Sequence, residues 1–92
     1  MLRHVVMWKF LEEALDIVQK NILALIPVIP QIQSLQVGKD TFHTPASYDL
    51  VLIGDFADKD DLNTYINHPE HQKVGVYTSK VVSSRIAVDY LL

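Results

Sequence analysis

Two side chains able to move a proton stand six positions apart, on either side of a proline. Tyr65 follows Leu62 on the apolar side of a predicted helix, and His71 comes two residues after Pro69. A phenol held in a pocket can donate a hydrogen bond to a carbonyl or enolate oxygen. The helix dipole disfavours a protonated imidazole in the first turn of a helix, and a general base must be neutral. The pair therefore predicts proton transfer at a carbonyl compound.

Each of these side chains also has a purely structural explanation. Tyr65 would then be a core tyrosine whose hydroxyl reaches the surface. His71 would simply pack or form a hydrogen bond at the start of its helix. The chemical interpretation is favoured by the helix break between the two residues, which would turn both side chains toward one cavity.

The first strand carries a third candidate, His4, on the same face as Val6 and Trp8. A buried histidine needs a partner for each ring nitrogen. His4 is therefore either a polar group lining a pocket or a core histidine whose hydrogen bonds are satisfied. The sequence leaves both interpretations open.

Metal and cofactor chemistry find little support in the sequence. His68 and His71 have the spacing of zinc ligands, but no third ligand is evident. His43 lies in a loop without a partner at ligand spacing, and the chain has no cysteine. We expect His68 to be a structural helix cap. The sequence has no glycine-rich phosphate loop, no serine nucleophile motif and no dinucleotide fingerprint. We therefore expect neither a metal nor a cofactor.

Length and charge exclude several classes of protein. The 92 residues make one domain, residues 1–92, whose small core favours oligomerisation as extra stabilisation. The net charge of −3 and the absence of a basic run exclude the usual nucleic-acid interface. No apolar stretch reaches membrane-spanning length, and the N-terminus is interpreted as mature structure rather than a signal peptide. We expect the protein in the cytoplasm.

Hydrophobic periodicity predicts the element order β-α-β-β-α-α-β. The strands are placed within residues 2–10, 31–39, 48–56 and 81–90. A first helix starting at Glu12 has the apolar positions Ala14, Leu15, Val18, Ile22, Leu25 and Ile26, and Pro27 and Pro30 close it. A second helix, capped by Asp58, has the apolar positions Leu62, Tyr65 and Ile66 and breaks near His68, and a third spans residues 69–77. This is a ferredoxin-like α+β fold, with an antiparallel four-stranded sheet and helices on one face.

The predicted sheet has an apolar face that no helix of the chain covers. Val5 and Met7 on the first strand, and Val51 and Ile53 on the third, point away from the helices. An antiparallel sheet with one wet face should be polar at such positions. We therefore predict a homodimer packed sheet against sheet through these four residues, forming an α+β barrel.

Five segments in order resemble the stress-responsive A/B barrel family, also called Dabb. They are residues 3–10 (RHVVMWKF), 38–40 (GKD), 48–56 (YDLVLIGDF), 65–71 (YINHPEH) and 88–90 (VDY). The resemblance implies a dimeric α+β barrel but no single activity, since some plant members are known as stress-induced proteins and one plant branch consists of polyketide cyclases. The segment with the pattern Y-x-x-H-P-x-H resembles those cyclases.

In the cyclases, the tyrosine and last histidine of that segment are catalytic, which by resemblance implies roles for Tyr65 and His71. The histidine of the first strand, here His4, lines the cyclase pocket. The cyclases have aromatic residues in the first helix, where this chain has Val18 and Ile22. The resemblance therefore implies related chemistry on a different substrate.

The function predicted is binding of a small molecule between sheet and helices. The expected lining, beside the catalytic pair, is His4, Val6, Trp8, Val18, Ile22 and Leu52. Whether the protein is an enzyme stays open. The main alternative is a non-enzymatic stress-response or assembly protein, which would need no cavity, and a regulatory subunit acting through its outer helix face is a second. A hollow or filled space around Trp8 and Tyr65 discriminates between ligand binding and a structural role.

Overall fold

The elements occur in the predicted order, and the fold is the predicted ferredoxin-like α+β arrangement. The computed structural model describes residues 1–10 and 12–92. Its elements are β1 (Leu2–Phe10), a 3₁₀ turn (Glu12–Ala14), α1 (Leu15–Leu23), β2 (Ser34–Lys39), β3 (Leu50–Phe56), α2 (Lys59–Asn67), α3 (Pro69–Val81) and β4 (Val82–Leu91). The strands form one antiparallel sheet in the order β2-β3-β1-β4.

Strand β1 shows why the sheet has two different faces. Its residues alternate without exception between buried and half-buried, because successive side chains point to opposite sides. Val6 and Trp8 belong to the buried side, in a core completed by α1, β2 and β3. The predicted division of β1 and β3 into a helix-facing side and an open side is therefore confirmed.

The first helix ends earlier than its apolar spacing predicts. α1 stops at Leu23, and tighter turns with hydrogen bonds between residues i and i+3 follow it. Pro27 has no N–H to donate to the Leu23 carbonyl, and it disfavours helical geometry at Ile26. Ile26 is consequently exposed rather than on the buried face, whereas Ile29, which the periodicity missed, is fully buried.

The break between α2 and α3 follows local chemistry. The Asp58 carboxylate accepts the Asp61 N–H at 2.9 Å, the predicted cap of α2. His68 adopts an extended backbone, and its Nδ1 accepts the Glu70 N–H at 3.1 Å, which caps α3 ahead of Pro69. The structural role expected for His68 is therefore confirmed. Ile66 differs from prediction, since it is 37% exposed at the end of α2.

Helix α3 runs to Val81, about one turn beyond its predicted end at residue 77. The hydroxyls of Thr78 and Ser79 donate to the carbonyls of Val74 and Val76, both at 2.9 Å. These bonds give both hydroxyls a partner within the helix, although serine and threonine have only modest helix propensity. Strand β4 then follows without a loop.

The open face of the sheet stays apolar across three strands. Val5 lies opposite Ile53 and Val88, and Met7 lies opposite Val51. These positions on β1 and β3 are half-buried, and Val88 on β4 is exposed. Among the described residues, no helix is long and apolar enough to cross a membrane.

Candidate functional site

A cavity of about 200 Å³ opens between the helices and the inner face of the sheet. All three helices and three of the four strands contribute to its wall, which includes His4, Val6, Trp8, Ile22, Leu52, Tyr65, His71, Val74, Gly75, Thr78, Ser79, Val82 and Arg85. The β1 and β3 residues of the wall are buried, whereas Gly75, Ser79 and Arg85 are exposed. The cavity therefore has an apolar depth and a mouth between α3 and β4.

The structure places all but one of the predicted site residues on this cavity. His4, Tyr65 and His71 lie on its wall together with the predicted apolar lining. Val18 is the exception, because it is completely buried within the solid core beside the cavity. It stands one turn before Ile22 on α1, so it packs into the core rather than against open space.

Tyr65 and His71 are neighbours, although they belong to different helices. Their ring centroids are 4.5 Å apart, at the junction of α2 and α3. Tyr65 is only 1% exposed and also packs against Phe56, with centroids 4.9 Å apart. Burial raises the pKa of the Tyr65 phenol to about 12, so that the phenol keeps its proton at neutral pH.

The Tyr65 hydroxyl has no hydrogen-bond partner within the described residues. No side-chain nitrogen or oxygen of these residues is both sealed from solvent and unpartnered. The hydroxyl therefore meets the cavity, where it can donate its proton to a bound acceptor.

The protonation of His71 follows from its hydrogen bond to the backbone. Nδ1 lies 2.9 Å from the Ile66 carbonyl oxygen, which can only accept, so Nδ1 carries the proton. Burial, with smaller electrostatic contributions from His4, Arg85 and His68, outweighs this bond and lowers the pKa of His71. At neutral pH the ring is therefore neutral, and its Nε2 has a free lone pair.

The Ile66 carbonyl is available because α2 ends beside it. In a continuous helix this carbonyl would accept the N–H of Glu70, four residues later. Glu70 instead donates its N–H to the His68 side chain. The helix break thus leaves an acceptor for His71, and that acceptor sets the tautomer of the ring.

His4 is paired with a carboxylate that the sequence analysis did not assign to the site. Asp89 lies directly opposite His4 in the register of β1 and β4, and its Oδ1 contacts His4 Nδ1. An ionised carboxylate only accepts, so Nδ1 of His4 is the donor. The His4 and Tyr65 rings meet edge to face, with centroids 6.4 Å apart. The sequence feature that could have identified Asp89 is a charged residue on the helix-facing side of the last strand.

Part of the wall, formed by the second half of α3 and by β4, was not predicted from the sequence. Val74, Gly75, Thr78 and Ser79 come from a helix that was predicted to stop at residue 77. Within the described residues, no group of three histidine, cysteine, aspartate or glutamate side chains is placed to hold a metal ion.

Replacing Gly75 with alanine is expected to stabilise the fold by about 0.5–1 kcal/mol, because glycine is costly inside a helix. A Cβ atom at this position meets nothing within 4 Å. The free energy of unfolding from urea denaturation measures the effect. Gly54→Ala is the control, since its Cβ would lie 3.1 Å from Leu35, and we expect it to destabilise. A destabilised Gly75→Ala variant would contradict the open space at residue 75.

Comparison with known proteins agrees with this architecture. The family model of the stress-responsive A/B barrel domain matches residues 2–92. A dimeric ferredoxin-like protein of unknown function from Bacteroides fragilis is 26% identical, with a TM-score of 0.88 over 99% of this chain and 95% of that one. No curated protein matches the sequence.

Two further solved structures resemble the chain at lower identity, which shows the fold alone. A dimeric ferredoxin-like protein from Thermobifida fusca has a TM-score of 0.88 at 21% identity, over 99% of this chain and 90% of that one. A hydroxynitrile lyase from Passiflora edulis has a TM-score of 0.83 at 14% identity, over 99% and 92%. The same fold therefore occurs in at least one enzyme.

Proposed function

Because the chain belongs to the stress-responsive A/B barrel (Dabb) family, we propose that residues 1–92 act as one domain that binds a small molecule and transfers a proton at a carbonyl compound. The observation that carries this proposal is the adjacent pair of Tyr65 and His71 rings on the wall of one cavity. A purely structural protein would have no need of that cavity. The proposed reaction uses no cofactor.

The proposed mechanism assigns one step to each member of the pair. Nε2 of His71 takes a proton from the carbon next to the carbonyl, so that the C–H bond breaks and an N–H bond forms. The electron pair moves onto the carbonyl oxygen, and the Tyr65 hydroxyl donates a hydrogen bond to this developing enolate. The enolate then takes this proton back at carbon, or its carbon attacks a second carbonyl group, as in a cyclisation, and the new alkoxide takes the proton from His71. The neutral imidazole and the protonated phenol described above suit these roles.

The polar surroundings of the pair support the same chemistry. His4, oriented by Asp89, provides a further ring nitrogen on the cavity wall. The segment 65–71 resembles the catalytic segment of the plant polyketide cyclases, which supports a carbonyl substrate. The cavity of about 200 Å³ is smaller than the ~300–1,000 Å³ typical of drug-sized ligands, so we propose a compact substrate.

The domain is also proposed to act as a homodimer, joined through Val5, Met7, Val51 and Ile53 on the open face of the sheet. The apolar character of this face across three strands supports the interface, and the similar proteins from Bacteroides fragilis and Thermobifida fusca are dimeric. Packing two such faces together would remove their apolar surface from water. A cytoplasmic location remains part of the proposal, and cell fractionation tests it.

Deuterium exchange into a simple carbonyl compound tests the proposed reaction. Methyl 3-oxobutanoate is incubated with the protein in D₂O. Proton NMR follows the loss of the signal from the protons on the carbon between its two carbonyl groups. We expect exchange faster than in buffer alone, together with ligand-induced shifts of cavity resonances. Heat-denatured protein is the control. If the compound neither binds nor exchanges faster, the non-enzymatic stress-response or assembly role becomes the better explanation.

Replacing Tyr65 with phenylalanine is expected to lower this exchange rate by about 10²–10³-fold, the usual effect of losing one oxyanion donor. The free energy of unfolding should change little, because the hydroxyl has no protein partner among the described residues. Tyr77→Phe is the matched control, since Tyr77 packs at the edge of the core and is not on the cavity wall. An undiminished rate in Tyr65→Phe would remove the hydroxyl from the mechanism.

A further inference from the structure

The cavity carries one charged group to which the proposed reaction gives no task. Arg85 lies opposite Trp8 in the register of β1 and β4, so it projects from the helix-facing side of the sheet. It lies on the cavity wall and is exposed, which places it at the mouth. A guanidinium there can reach a ligand whose apolar part lies deeper in the cavity.

Arg85 takes part in no ion pair among the described residues, although the chain as a whole is acidic. Asp89, the acidic residue on the same face of β4, is paired with His4. Among the residues that the structure describes, the cavity wall contains no aspartate or glutamate. The five N–H donors of Arg85 are therefore available to a ligand.

The other polar groups of the wall differ in the hydrogen bonds that they can offer a ligand. The Thr78 and Ser79 hydroxyls already donate to helix carbonyls, so they offer a ligand only lone pairs. Tyr65 is then a neutral donor in the depth of the cavity, and Arg85 is the cationic donor at the mouth. Between them the wall is apolar, with Val6, Leu52 and other core residues. This pattern suits a molecule with a carbonyl at one end, an anion at the other and a short apolar body.

We propose that Arg85 binds the carboxylate of the substrate, so that the substrate is a small keto acid. This inference rests on the proposed function and names its substrate class. A planar carboxylate matches the guanidinium fork with two parallel hydrogen bonds. Binding at the mouth would hold the chain of the acid along the apolar wall and its carbonyl group at Tyr65 and His71.

A matched pair of ligands tests the inference by binding alone. 4-Oxopentanoate and its methyl ester share the ketone and the carbon chain but differ in charge, and NMR titration gives the dissociation constant of each for the whole chain. We expect the wild-type protein to bind the acid about 10–100-fold more tightly than the ester, the range for a hydrogen bond to a charged group. Arg85→Gln should remove this preference and leave binding of the ester unchanged.

A second charge change serves as the control. Lys80→Gln removes one positive charge from an α3 residue that is exposed and not on the cavity wall, and we expect it to keep the preference for the acid. Equal binding of acid and ester by the wild type, or equal loss of both in Arg85→Gln, would overturn the role of Arg85 and leave the proposed function standing. Binding of neither probe by the wild type would overturn the proposed function as well.

Discussion

Replacing His71 with alanine is expected to slow the exchange of methyl 3-oxobutanoate by about 10²–10⁴-fold, the usual contribution of a general base. The substitution removes the Nε2 lone pair that would take the proton. The fold should persist, because His71 lies at the start of α3 and the Ile66 carbonyl that it leaves can be hydrated. Exchange rates and circular dichroism together measure the two effects.

The pH dependence of the same rate separates a base from a merely structural histidine. Only the neutral imidazole accepts a proton, so the wild-type rate should rise with pH through the pKa of His71 and then level off. Because that pKa is lowered below its ordinary value of 6.5, the plateau should already be reached at neutral pH. We expect the His71→Ala variant to lose this rise.

A histidine away from the cavity provides the control for His71. His43 is exposed in the loop between β2 and β3, and its φ of 54° is better tolerated by asparagine than by most residues. His43→Asn should keep both the wild-type rate and its pH profile. Full activity in His71→Ala would contradict the general-base role, whatever the outcome for Tyr65.

Replacing Val51 with aspartate is expected to convert the proposed dimer into a monomer. Val51 lies opposite Met7 at the centre of the open sheet face, so the new carboxylate would be buried without a partner in a sheet-to-sheet interface. In the separate chain the same carboxylate would stay hydrated, because the residue is only half-buried. Light scattering after size-exclusion chromatography should therefore give the single-chain mass of 10.5 kDa.

A valine-to-aspartate substitution on the helix side of the molecule tests whether the loss of the dimer depends on the position of the new charge. Val76 is 57% exposed on α3, and we expect Val76→Asp to keep the mass of the dimer. A Val51→Asp protein of unchanged dimeric mass would show that the two chains associate through another surface.

Local chemistry made much of the architecture predictable. The alternation in β1 and β3 assigns each side chain to one face, because successive residues of a strand point to opposite sides. Asp58 starts α2 and Pro69 begins α3, since a cap and a proline act on their immediate neighbours. Where the prediction was wrong, local effects had overridden the periodic pattern, since Pro27 ended helical geometry at Ile26 and α3 continued to Val81.

The sequence by itself determined the order of the elements, the apolar open face and the candidate pair of Tyr65 and His71. These features depend on side-chain periodicity and on the break at Pro69, which act over a few residues. Spacing along the chain could bring that pair to one helix junction, but it could not assign the tautomer of the imidazole.

Only the tertiary structure decided which other groups join the pair. The register of β1 against β4 pairs His4 with Asp89, 85 positions later, and brings Arg85 to the cavity mouth. Packing decided that Ile22 borders open space while Val18, one turn earlier, fills the core. The physical reason is that strand register and core packing depend on contacts between distant segments, whose energies belong to the whole fold and to no single stretch of sequence.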